Sequence, residues 1–250
     1  MAVIELENIS VEYRRYHERP TSLKESILRA VKTGQFRHYT KLFALKNVSL
    51  KVEQGEVFGV IGSNGAGKST LLRVLAGVLP PTEGTRRIDG SIDSLISLGA
   101  GFDPELNAVE NILLYGSLRR RKSSEIKKHI GRILEFAELT KFADTPIKYY
   151  SSGMSARLGF AVAVDSDPDV LLVDEVLAVG DERFRAKCDQ VFADFLHKGK
   201  TVFMVSHALE TVKKLCNRVG VLSQGQFIFT GDAEQAVKLY LSPDYATRLS

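Results

Sequence analysis

The sequence predicts an α/β fold: a mostly parallel sheet core, an antiparallel β unit at the N-terminus and an inserted α-helical region in the middle. Three observations predict it. Val170–Val173, Val202–Val205 and Val219–Leu222 are short, continuous apolar runs, as expected of strands buried on both faces. Amphipathic stretches separate them, one carrying Phe184, Cys188, Val191, Phe192 and Phe195, the other Leu209, Val212, Leu215 and Cys216. Alternation of this kind implies strands in parallel under helices. Near the N-terminus the apolar residues alternate instead, the mark of strands with one solvated face.

Residues 3–13 place Ile4, Leu6, Ile9, Val11 and Tyr13 at alternating positions, and Leu45, Val48, Leu50 and Val52 repeat the pattern. Between them, Arg14 to Lys41 is basic and polar. Ser22 and Glu25 have the spacing of a capping box, and Leu23, Ile27, Ala30 and Val31 then share one helical face, with Lys24, Arg29 and Lys32 elsewhere. Glu56–Ile61 reads as an apolar strand, followed by a glycine-rich turn and a helix containing Leu71, Leu72 and Leu75 that Pro80 and Pro81 should stop. Residues 107–140 read as helical, with Ile126, Ile130, Ile133, Leu134 and Ala137 on one stripe.

The 250 residues suffice for one large domain or two small ones, and 44% hydrophobic with 26% charged residues argues against disorder. A net charge of +4 suits an anionic ligand or a membrane surface and is too small to argue for nucleic acid. The two cysteines, Cys188 and Cys216, fall at apolar helical positions and read as buried hydrophobes in a reducing, cytoplasmic setting. The acidic start lacks the pattern of a signal peptide. No apolar run is long enough to span a bilayer, the best candidates being broken by charges such as Asp174 and Glu175.

Gly62-Ser63-Asn64-Gly65-Ala66-Gly67-Lys68-Ser69 fits the Walker A pattern G-x-x-x-x-G-K-[ST], after a strand and opening a helix as that motif requires. Gly62, Gly65 and Gly67 let backbone N–H groups converge on phosphate oxygens, and the helix adds the positive end of its dipole. Lys68 would neutralise the terminal phosphates, and the Ser69 hydroxyl would ligate Mg²⁺. A second apolar strand ends in Asp174-Glu175; carboxylates at a strand's C-terminal end face the ligand crevice in α/β sheets. There Asp174 would hold Mg²⁺, directly or through water, and Glu175 would take the proton of the attacking water.

Two further segments make the chain resemble the ABC ATPases among P-loop NTPases. Tyr150-Ser151-Ser152-Gly153-Met154, followed by Arg157, resembles the family's signature sequence. Ser206-His207 looks like its switch histidine, and Ala178-Val179-Gly180-Asp181 resembles its D-loop. The resemblance spans nearly the whole chain in order. It implies a single ATPase domain over 1–250, with 14–41 as an inserted amphipathic segment and about 104–165 as the helical subdomain. It implies ATP contacts from Gly62 through Thr70, adenine stacking on Tyr13 with Tyr16 as the alternative, and a homodimer in which Ser151 and Gly153 act in trans on the nucleotide of the partner copy. His207 would contact the γ-phosphate or the attacking water. Two departures stand out. No Gln occurs between Ser91 and Asp189, where the family carries one, and the signature has Ser152 and Met154 where Gly and Gln are usual.

Leu98-Gly99-Ala100-Gly101-Phe102, Pro146 through Met154, Val173 through Asp181 and Val205-Ser206-His207 together resemble the polysaccharide-export branch, the ATPases of O-antigen, capsule and teichoic-acid transporters. That resemblance implies a peripheral protein on the cytoplasmic face of the inner membrane, a polytopic permease subunit as partner and a lipid-linked glycan as cargo. The insert between Tyr13 and Phe43 resembles an extra amphipathic helix of O-antigen export ATPases, whose Lys24, Arg29 and Lys32 would meet anionic headgroups or the cargo pyrophosphate. The alternatives are an ATPase of a small-solute or lipid transporter, and a soluble ABC ATPase without a membrane partner.

Overall fold

The computed structural model describes residues 1–16, 39–95, 101–174, 181–243 and 245. The insert helix with Ser22, Glu25, Lys24, Arg29 and Lys32 lies outside them, as do Leu98 to Ala100, Glu175 and Val176 to Gly180.

β1 (Ala2–Tyr16) and β2 (Tyr39–Glu53) pair antiparallel, and β4 (Glu83–Ile88) pairs antiparallel with the other edge of β1. Ile4, Leu6, Ile9 and Val11 all point inward and are buried. The step from Leu6 to Ile9 breaks strict alternation because the ladder bulges there, with Asn8 in the left-handed region at φ 52°. A bulge inserts one residue and returns the next apolar side chain to the core face.

The second sheet has the order β5-β6-β7-β3-β8-β9, built from β3 (Val57–Ile61), β5 (Ile92–Ser94), β6 (Val170–Asp174), β7 (Thr201–Val205), β8 (Arg218–Ser223) and β9 (Gln226–Gly231). All its pairs are parallel except β8 with β9. β3 and β7 are buried throughout, as the continuous apolar runs require. One face packs on helix α1 (Lys68–Leu75) and the small sheet, joining Phe58, Val60 and Phe203 to Leu71, Leu72, Ile4 and Leu45. The other face meets α5 (Glu182–His197), α6 (Leu209–Leu215) and α7 (Ala233–Tyr240) through Phe184, Phe192, Val212 and Val237.

Cys188 and Cys216 are both buried, and burial pushes each thiol up to about 12. They are packing residues, protonated at neutral pH.

Two expectations need correction, and four elements were not foreseen. The helix after the glycine-rich turn ends at Leu75, with Gly77 at φ 73° just beyond, so a left-handed glycine stops it before Pro80 and Pro81 are reached. Residues 107–140 form two helices, α2 (Ala108–Leu118) and α3 (Ser123–Phe136), then a 3₁₀ turn at Thr140–Phe142. The break falls at Arg120, at φ 59°, and α2 starts from a capping box made by Asn107 and Glu110. The unforeseen elements are β4, β5, β9 and α7. β4 is Glu-Gly-Thr-Arg-Arg-Ile, with no apolar period.

The signature-like segment opens helix α4 (Ser152–Asp165). α2, α3 and α4 share a core of Ile112, Ile126, Ile133, Leu134 and Leu158. The edge strand β5 ties this region to the sheet. Its buried Asp93 accepts from Tyr115 Oη at 2.7 Å, Arg119 Nη2 at 2.7 Å and Ser166 Oγ at 3.0 Å.

Candidate functional site

Strand register places the chemistry in one row. Val60 of β3 is opposite Val205 of β7, and Val205 is opposite Asp174 of β6. The turn after β3, the carboxylate ending β6 and the Ser206-His207 turn after β7 therefore open at the same C-terminal edge, where α/β sheets hold ligands.

Gly62 and Gly67 are glycine for steric reasons. A Cβ on Gly62 would sit 2.3 Å from the Leu222 carbonyl oxygen, and one on Gly67, at φ 109°, would sit 2.5 Å from that of Ala44. The loop is braced from outside, Gly225 donating its N–H to the Ala66 carbonyl at 2.9 Å. Gly67 caps α1 with no side chain, and the first turn carries no acid. The helix thus offers uncapped N–H groups and its dipole to an anion.

Lys68 turns back over its own loop. Its Nζ donates to the carbonyl oxygens of Gly62 at 2.7 Å and Ser63 at 2.9 Å. Burial lowers its pKa, an effect opposed by Asp174. Burial raises the pKa of Asp174, opposed in turn by Lys68, His207 and Arg73. His207 is lowered, first by burial and then by Lys68, with Asp174 opposing, so its imidazole is neutral at pH 7. The turn that carries it is held by Ser206, whose Oγ accepts from Ala208 N–H at 3.0 Å.

Asn64, Gly65, Gly67, Lys68, Ser69, Thr70, Asp174 and His207 line one cavity of about 340 Å³ with Ala44 and Val205. Its size is at the small end for ligand pockets, and apart from the imidazole no aromatic ring lines it among the described residues. It has the chemistry of a phosphate pocket, and a base would have to lie outside it. Tyr13 does not line the cavity. It is 37% exposed and pairs with Leu42, two residues before Ala44 on β2. Tyr16 pairs with Tyr39 further along the same ladder.

Ser69 and Asp174 present oxygen donors on one cavity, which suits Mg²⁺, an ion that takes one or two protein ligands and completes its shell with water and substrate phosphate. Among the described residues no group of three or more His, Cys, Asp or Glu could hold a metal unaided.

Ser151 and Gly153 are not brought to this cavity within the chain. Ser151 caps α4, its Oγ accepting from Met154 N–H at 3.1 Å, and a Cβ on Gly153 would meet only the Ser151 Oγ, at 3.9 Å. The segment is a helix N-terminus capped by its own Ser151, and it does not line the phosphate-loop cavity. Arg157, one turn on, donates to Glu138 at 3.0 Å, which also accepts from Lys187 of α5 at 2.6 Å.

Sequence reasoning missed Ala44 on the cavity wall and Arg73, whose charge reaches Asp174. Neither belongs to a motif the sequence displays, and each is placed by its element, β2 for Ala44 and α1 for Arg73.

The ABC transporter family profile matches residues 45–178. An O-antigen export system ATP-binding protein, RfbB, from Klebsiella pneumoniae is 42% identical over 238 residues, covering 95% of this chain and 97% of the relative. A teichoic acids export ATP-binding protein, TagH, from Bacillus cereus is 41% identical over 95% of this chain but only 42% of its own length. Among solved structures, a dimeric bacterial ABC transporter cassette is 25% identical with a TM-score of 0.72, covering 92% of this chain and 98% of the other.

Proposed function

The chain belongs to the ABC transporter family, and from that premise we propose that it is the ATP-binding and ATP-hydrolysing subunit of a polysaccharide exporter of the O-antigen or teichoic-acid type, acting as one ATPase domain over its whole length. The observation that carries the ATPase reading is the single cavity that collects Lys68, Ser69, Asp174 and His207 from separate stretches of chain. The export reading rests on the relatives named for it, which match 95% of this chain.

ATP binding would draw Lys68 Nζ off the Gly62 and Ser63 carbonyls onto the terminal phosphates, while the loop N–H groups and the α1 N-terminus hold the remaining oxygens. Tyr13 stacks the adenine outside the cavity, with Tyr16 as the alternative ring. Ser69 and Asp174 would hold Mg²⁺, which would supply charge neutralisation for the phosphates. His207, neutral at pH 7, accepts a hydrogen bond at the γ-phosphate end and orients the water whose proton Glu175 takes. Ser151 and Gly153 complete the site from a second copy. The N–H groups and dipole of the helix that they begin would favour a phosphate there.

Closure of the two copies on ATP and their reopening after hydrolysis would drive a polytopic membrane subunit that moves a lipid-linked glycan, with this chain peripheral on the cytoplasmic face. No helix among the described residues is long and apolar enough to cross a membrane, so attachment would fall to that partner and to the insert with Lys24, Arg29 and Lys32. The export reading is tested by gentle extraction of the tagged chain from its own membranes. A co-purifying polytopic subunit with lipid-linked glycan is expected; recovery with a small-solute permease, or with soluble proteins alone, would overturn it.

A further inference from the structure

We propose that Tyr245 is a positioning residue for the phosphate loop, so that the C-terminal segment sets the affinity for nucleotide; this rests on the ATP reading of the cavity. The Tyr245 hydroxyl accepts the Ser63 N–H at 2.8 Å, across 182 residues of sequence. The ring is 4% exposed and packs on Tyr240 at the end of α7, with centroids 4.7 Å apart. The hydroxyl also lies 3.5 Å from the carbonyl oxygen of Leu222 on β8, the same oxygen that excludes a side chain at Gly62.

The consequence follows from one peptide plane. The Gly62 carbonyl and the Ser63 N–H are the two ends of a single peptide unit, which is rigid. Its oxygen accepts from Lys68 Nζ and its N–H is held by Tyr245. When phosphate draws Lys68 away, the oxygen end is released and Tyr245 is the side chain that still fixes the plane. A loop held in its binding conformation costs less to order when the ligand arrives. Tyr245 touches neither ATP nor the attacking water in this arrangement, so its contribution falls on binding rather than on the chemical step.

Tyr245→Phe removes the hydroxyl and keeps the ring. Calorimetric titration of the 250-residue chain with ATP·Mg²⁺ should show about three- to ten-fold weaker binding, the loss of one buried neutral hydrogen bond. KM should rise by the same factor and kcat should stay within about two-fold. Tyr240→Phe, which alters the neighbouring ring but not the loop contact, should bind ATP like the unaltered chain. Unchanged affinity in Tyr245→Phe, or an equal loss in Tyr240→Phe, would reduce Tyr245 to packing and overturn the proposal. If the unaltered chain itself bound no ATP, the nucleotide reading would fail and this inference with it.

Discussion

Lys68 Nζ donates to the carbonyl oxygen of Gly62 at 2.7 Å, so the lysine of the phosphate loop is satisfied by its own loop before any ligand arrives. Its ammonium exchanges one set of acceptors for another when phosphate binds, and it remains hydrogen-bonded in both states. Lys68→Ala should weaken ATP binding by roughly 10- to 150-fold, the range for a hydrogen bond to a charged group, and turnover should fall with it. Titration calorimetry checks the first and phosphate release the second.

Asp174 is an acid in a partly desolvated site whose pKa is raised by burial. Its carboxylate repels nucleotide phosphates unless a cation lies between them. Asp174→Asn should therefore bind ATP in EDTA as well as the unaltered chain, or better, and lose most of the affinity that Mg²⁺ confers on it. ATP titrations with and without Mg²⁺ read both arms.

His207 titrates below its ordinary value of 6.5 because of burial and Lys68. The folded chain binds fewer protons there than the unfolded chain, so this residue's contribution to stability is present above about pH 6.5 and falls as pH drops through 6.5 toward its folded pKa. The same protonation should produce an acid limb in kcat/KM. His207→Gln should lose about 10²-fold in turnover and flatten that limb. A pH–rate series on both chains checks it.

Asp165, at the end of α4, is half-buried and paired with Arg121 at 3.1 Å, with His129 at 2.9 Å and with Arg132. Burial alone would raise its pKa; the hydrogen bonds from Arg132, His129 and Arg121 outweigh it and hold the carboxyl below the usual range. A depressed pKa gives stability that is present above about pH 3.8 and lost as pH falls through the folded value. Asp165→Asn should cost about 1.5 kcal/mol at pH 7, the low end for a hydrogen bond to a charged group, with the difference closing in strong acid. Denaturant midpoints at pH 7 and below pH 3.8 measure both.

Much of this was legible because motif and fold coincide locally. The Walker A loop follows β3 and opens α1 in sequence as in space, and the apolar runs around Leu171, Phe203 and Val221 are short, rich in Val and bounded by polar residues, which favours buried strands over helices. What was not legible depends on distant partners. β4 and β5 are short edges whose pairing is set by β1 and β6. The stop at Gly77 acts through backbone conformation rather than through the more visible prolines. The contact from Tyr245 to Ser63 joins residues 182 positions apart, where no local spacing reports it.

The account turns on two copies enclosing ATP with Glu175 as the base, and the most direct measurement is sedimentation of Glu175→Gln with ATP and Mg²⁺. The account predicts a stable dimer holding two ATP per pair with little turnover, and loss of that dimer on adding Ser151→Ala with Gly153→Asp. A chain that stays monomeric on ATP, or one that hydrolyses it at the unaltered rate, would contradict it.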